Sequence, residues 1–109
     1  MALFNKSILI LGAGLEQAIA IREAKKLGLI VIACDQNKHA SGFEYADISL
    51  VLDINKVDAI EKVAREHNVN GVFAHAVEIP DVVAEVAFRL GLPGLPPDIA
   101  RRATNKIFN

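Results

Sequence analysis

At 109 residues, 52% of them hydrophobic and 23% charged, the chain has material for one core and at most one domain. Its formal net charge of −1, with both signs interspersed, excludes a basic nucleic-acid tract and an acidic disordered tail; without tryptophan and with few aromatics, base-stacking platforms are excluded as well. Cys34 is the only cysteine, so no internal disulfide can form and a reducing, cytoplasmic setting is expected. The apolar run near the start is too brief to span a bilayer or to act as a secretory signal, which predicts no membrane partner.

Ser7–Leu11 is an apolar run of the kind found in a central strand buried on both faces. Glycines follow, then a predicted helix over Glu16–Leu27 with Ala20, Ile21, Ala24 and Leu27 at helical spacing and Gly28 as its stop. Leu29–Cys34 reads as a second buried strand, ended by Asp35. The polar stretch QNKHASGFEYAD reads as an irregular crossover before a short third strand, Ile48–Leu52.

Asp53 or Asn55 is placed to cap the next helix, whose stripe is Val57, Ile60, Val63 and Ala64. Val69–Ala74 is the fourth predicted strand. A further helix starts at Pro80, a first-turn position, and carries Val82, Val83, Val86, Ala87 and Leu90 to Gly91. LPGLPP then turns the chain, Asp98–Ala103 begins another helical segment, and Thr104 looks like a cap for a helix that has barely begun. Strands alternating with helices predict an α/β, Rossmann-like three-layer αβα domain with a four- to five-stranded parallel sheet.

In ILILGAGLEQ, Gly12 and Gly14 follow the first strand, where parallel sheets bind ligands. Glycines there permit unusual backbone angles and leave room for an anion at the amide end of the following helix. A plain tight turn explains them equally. Asp35 stands at the spacing where a dinucleotide enzyme holds a ribose hydroxyl, and a turn-capping role explains it as well. Gln17 holds the place of the fingerprint's third glycine, and this weighs against a dinucleotide.

The remaining polar residues carry little. His39, His67 and His75 share no metal-ligand spacing; His67 suits a helix end, and His75, on the cleft side of the fourth strand, a packed position. Cys34 reads as a buried apolar group, Ser7, Ser41 and Ser49 lack a nucleophile-elbow context, and Arg101 with Arg102 forms a solvated face.

Taken in order, ILILGAGLEQ, GLIVIACD, YADISLVLDINKVDAIEKVA, VFAHAVEIPDVVAEVAFRLGLPG and ARRATNKIF make a series that resembles the amino-terminal pre-ATP-grasp domain of ATP-grasp ligases. The likeness covers essentially the whole chain. It is greatest to formate-dependent glycinamide ribonucleotide transformylase and related carboxylate–amine ligases, and more distant to biotin carboxylase and the carbamoyl phosphate synthase large subunit. Such enzymes use ATP to phosphorylate a carboxylate, and a nucleophile then attacks the acyl phosphate. The resemblance implies a domain over residues 1–103, with residues 104–109 opening a missing ATP-grasp region.

It further implies that Gly12, Gly14, Leu15 and Glu16 line the side of a small carboxylate or amine substrate. The departure at LEQA from the transformylases' longer polar turn leaves that substrate open. Glu78, after the fourth strand, takes the place of a glutamate that meets an amine or sugar hydroxyls, and a helix-entry acid near Pro80 is the structural alternative. Lys106 matches a cation that reaches the ATP phosphates in the full-length enzyme. ATP and Mg²⁺ are expected in the full-length protein, with neither bound to this fragment, which alone is expected to be inactive. A small NAD(P)-binding domain and a non-catalytic interaction module are the rival readings. The expected partners are the absent ATP-grasp domain and, through the apolar surface it leaves, a second copy in a homodimer.

Overall fold

The computed structural model describes residues 6–74 and 80–92. Four parallel strands, β1 (Ser7–Leu11), β2 (Ile30–Asp35), β3 (Ile48–Val51) and β4 (Gly71–Ala74), form one sheet in the order β3-β2-β1-β4. Strand β1 is central and buried at every position, as its unbroken apolar run demands. Its register sets Leu11 opposite Cys34 on one side and Ala74 on the other, so β1, β2 and β4 reach the same edge together.

Alternation of side chains along the strands divides the core in two. Ile8, Ile10, Val31 and Ala33 pack with Ile21 and Ala24 of helix α1 (Leu15–Lys26). Leu9, Leu11, Ile32 and Cys34 face the other way, onto Ile60 and Ala64 of α2 (Val57–Glu66) and Val86 of α3 (Pro80–Leu90). The three-layer α/β, Rossmann-like architecture is therefore as expected. Helix α3 starts at Pro80, and Gly28 follows α1 at φ +86°.

Local differences have identifiable causes. The segment between β2 and β3 is not wholly irregular, for Ser41–Tyr45 forms a 3₁₀ helix against α1. Neither Asp53 nor Asn55 caps α2. Asp53 Oδ1 accepts the Asn55 backbone N–H at 2.9 Å and Asp53 O that of Lys56 at 3.1 Å, a side-chain-closed turn that ends one residue before the helix. The N-cap of α2 is Lys56, with no side-chain cap. The segment around LPGLPP, the helix at Asp98–Ala103 and the cap at Thr104 lie outside the described residues.

Arg89 on α3 ties the two helices of one face together. Its Nη1 donates to Asp58 at 2.7 Å and Glu61 at 3.2 Å, while its Nε reaches Glu85 at 3.0 Å. Hydrogen bonds from Arg65 and Arg89 hold the Glu61 carboxyl below its ordinary range.

Candidate functional site

The strand order reverses between β1 and β4: the chain moves from β1 through β2 to β3, then crosses to the far side of β1. In open parallel sheets the crevice at such a reversal, beyond the carboxyl ends of the strands, is the usual ligand position. The loop leaving β1 there is Gly12-Ala13-Gly14. The loop leaving β4 carries Glu78, which with His75 lies outside the described residues, as does Lys106.

The glycine turn is clamped from three sides. Gly12 N–H donates to Cys34 O at 2.7 Å, and Ala13 N–H donates to Asp35 Oδ2 at 2.8 Å. Gly42 N–H, from the 3₁₀ helix, donates to Ala13 O at 2.6 Å. Gly12 sits at φ +97°, a region that side chains resist, so glycine is required there. Gly14 differs from expectation. At φ −69° and ψ −173° it is extended backbone open to any residue, and it serves as the N-cap of α1. Its smallness matters for another reason, since a Cβ at position 14 would lie 3.0 Å from Gln17 Oε1.

Gln17 is 6% exposed and folds back over the turn, occupying space that the dinucleotide fingerprint keeps clear with glycine. Asp35 is likewise engaged. Its second oxygen accepts the Asn37 backbone N–H at 2.9 Å, so its two carboxylate oxygens close the glycine turn and a turn of their own. The geometry displays the turn-closing role.

With Gly12 and Ala13 N–H groups consumed, the part of the turn left open is the first turn of α1. Gly14 is partly exposed, and Leu15 and Glu16 are open to solvent. The Glu16 carboxylate stands in the first turn, where the helix dipole stabilises it and where it opposes a second anion. A group bearing N–H or O–H donors suits that electrostatic setting better than a polyphosphate.

Cys34 is buried one residue before the end of β2, where its carbonyl meets the glycine turn. Burial, with a smaller contribution from Asp35, pushes its thiol up to about 12, so it is no nucleophile. His67 closes α2, its Nδ1 2.8 Å from Val63 O. Ser7 Oγ donates to Asn68 O at 3.4 Å and Ser49 Oγ to Phe43 O at 3.3 Å, both structural contacts. Among the described residues no group of three or more His, Cys, Asp or Glu side chains could hold a metal ion. The described residues therefore assemble no such ligand set for Mg²⁺. None of their helices is long and apolar enough to cross a membrane.

Formate-dependent phosphoribosylglycinamide formyltransferase of Prochlorococcus marinus is 34% identical to this chain over 110 residues, covering 100% of the chain and 25% of the enzyme. Its homologues are ATP-grasp ligases. The chain spans about a quarter of the length of these relatives and corresponds to the small amino-terminal part of the ligases. Among solved structures, phosphoribosylglycinamide synthetase from Anaerococcus prevotii superposes with TM-score 0.74 at 28% identity, covering 82% of this chain and 23% of that one. An ADP complex of N5-carboxyaminoimidazole ribonucleotide synthetase superposes with TM-score 0.67 at 22% identity, over 79% of this chain and 22% of that one. No protein-family profile matches the chain.

Sequence reasoning located the turn but missed Gly42. The residue's importance is a contact with Ala13, 29 positions away, and no local pattern signals it.

Proposed function

We propose that this chain is the substrate-side amino-terminal domain of an ATP-grasp carboxylate–amine ligase, lining the acceptor cleft and inactive without the ATP-binding domains. The observation that carries the reading is the reversal of strand order between β1 and β4, which sets the Gly12–Glu16 turn beside the exit of β4. In this reading residues 1–103 form the domain and residues 104–109 lead into the ATP-grasp region. The N–H groups of Gly14, Leu15 and Glu16 form one wall of the cleft. The Glu16 carboxylate accepts from an amine or hydroxyl of a small acceptor, and Glu78 meets the same acceptor from the neighbouring loop. Lys106 compensates charge on ATP held mainly by the following domains, which also supply the Mg²⁺ ligands. The enzyme works in the cytoplasm.

Calorimetric titration of the chain with ATP, NAD and NADP tests this. Gln17 over the turn and Asp35 bound to Ala13 support the expectation that none of the three binds with more than millimolar affinity. A micromolar dissociation constant for either dinucleotide overturns the reading in favour of a dinucleotide-binding domain.

A further inference from the structure

A hollow on the outward side of α1 shares a residue with the glycine turn. Leu15 stands at its upper end, and Ile19 and Arg22 follow at helical spacing. The 3₁₀ helix supplies the opposite wall with Ser41, Glu44 and Tyr45. The hollow measures about 200 Å³. An apolar cavity of about 150 Å³ holds a benzene ring, so one aromatic ring or branched aliphatic group fills this space. Leu15 is 77% exposed, Ile19 43% and Tyr45 39%, so three large apolar side chains meet solvent around it. The other large exposed apolar side chains among the described residues, Ile30, Val51 and Phe88, stand on three different elements. Single exposed apolar residues are ordinary; a cluster around a hollow marks a binding surface.

Charge gives the hollow a direction. Glu16 leaves the first turn of α1 next to Leu15, and Glu44 stands in the facing wall. Neither carboxylate has an ion-pair partner among the described residues. Arg22, the cation of the lining, lies two turns down α1, roughly 10 Å from Leu15. Its guanidinium covers the Tyr45 ring at 5.1 Å from the centroid. We infer that the hollow is an apolar subsite of the acceptor, taking the aromatic or branched aliphatic group of a primary amine whose ammonium lies against Glu16. Only the word acceptor rests on the ligase reading; the match between an apolar amine and the hollow does not. Leu15 belongs to both the hollow and the turn, so a molecule seated in the one reaches the other. Tyr45, ordered by Arg22, gives an aromatic guest a ring to pack on. An anionic head group would meet the like charge of Glu16, whereas an ammonium gains from it.

Titration of the isotope-labelled chain, followed by two-dimensional amide NMR, is the test. The probe is phenethylamine, compared with ethanolamine, phenylacetate and O-phosphoethanolamine. Phenethylamine shifts the amides of Leu15, Ile19 and Tyr45 with a millimolar dissociation constant. The other three bind roughly 10-fold more weakly or not at all, because each lacks the ring or the ammonium or carries a like charge. Ile19→Asn, at a partly exposed position, weakens phenethylamine roughly 10-fold by removing an apolar wall. Glu16→Gln weakens it roughly 2- to 5-fold and narrows its advantage over phenylacetate. Phe88→Ser, on another element, leaves it unchanged. No shift at the three amides at tens of millimolar overturns the inference, as does equal or tighter binding of any comparison compound, or binding that Ile19→Asn and Glu16→Gln leave intact. Failure of the ligase reading has a separate sign: a micromolar dinucleotide sinks that reading, and phenethylamine at the three amides still upholds the subsite.

Discussion

Replacing Gly42 with alanine adds one methyl group at the point where the 3₁₀ helix meets the glycine turn. The new Cβ would lie 2.7 Å from Ala13 O, 2.8 Å from Ile21 Cδ1 and 3.2 Å from the Ala13 carbonyl carbon. The first separation is about 0.7 Å short of ordinary contact, and the obstructing atom is backbone in a turn already fixed by two other hydrogen bonds. Only the Ile21 methyl can rotate aside. The 3₁₀ helix must therefore lift away, stretching the 2.6 Å bond from Gly42 N–H to Ala13 O.

Overpacking of this kind costs about 1–3 kcal/mol, and alanine's stiffer unfolded chain returns about 0.4–1 kcal/mol, so a net loss of about 1–2 kcal/mol is expected. At this chain length that lowers Tm by roughly 5–10 °C. Urea titration followed by far-UV circular dichroism reads the loss as a lower midpoint with unchanged m-value. Gly91→Ala is the control. It sits at φ +67° with nothing within 4 Å of a Cβ, so its cost of about 1 kcal/mol is torsional alone. A Gly42→Ala protein as stable as the wild type would refute the close approach of the 3₁₀ helix to the turn.

Asp35→Ala leaves the buried Ala13 N–H without its acceptor and should cost about 1–3 kcal/mol; Asp35→Asn keeps one oxygen for two donors and should fall between, with faster amide exchange at Ala13 in both. Asp47→Ala strands the buried Val31 N–H, bonded to Oδ2 at 2.7 Å, and should cost a similar amount by urea titration, while Asp47→Asn loses chiefly the half-exposed Lys25 pair, worth about 0–1 kcal/mol. Burial alone would raise the Asp47 carboxyl, but hydrogen bonds from Lys25 and Val31 and the charge of Lys25 outweigh it and hold it below its ordinary 3.8. Its contribution is therefore complete above that value and lost as pH falls through the lowered one, so Asp47→Asn should flatten the acid limb of a stability–pH curve. Cys34 has the opposite sign. With its thiol raised from 9.0 to about 12, stability should decline as pH climbs above 9, and at neutral pH a disulfide reagent should label Cys34 only at the rate of unfolding.

The layers of this fold were legible because they rest on local periodicity. The apolar runs of β1 and β2 can serve only a sheet covered on both faces, and the stripe Ile60 and Ala64 appears as the core face of α2. Proline at position 80 marked the start of α3 for a reason that needs no tertiary information. The Asp53 and Asn55 misreading shows the limit of such rules. Both residues suit a helix cap, yet Asp53 bonds two positions onward into a turn, and the helix starts without a side-chain cap. Nothing within a few residues of Asp35 reveals that its carboxylate meets Ala13, or that Gly42 must be small to reach the same residue. The parts of the candidate site that went unread are its long-range contacts.

Those contacts also explain how the turn tolerates Gln17. In a dinucleotide fold three glycines keep backbone and space available for a pyrophosphate. Here the backbone is spoken for: Gly12 N–H belongs to Cys34, Ala13 N–H to Asp35 and Ala13 O to Gly42. Space is taken too, because the room conferred by the missing side chain at position 14 is filled by the Gln17 amide. The second glycine thus serves the residue at the third position, whose side chain needs the room. What stays open is the first turn of α1, with a carboxylate of its own at Glu16. Under the proposed ligase reading, that exposed carboxylate favours an acceptor bearing N–H or O–H donors over an anion.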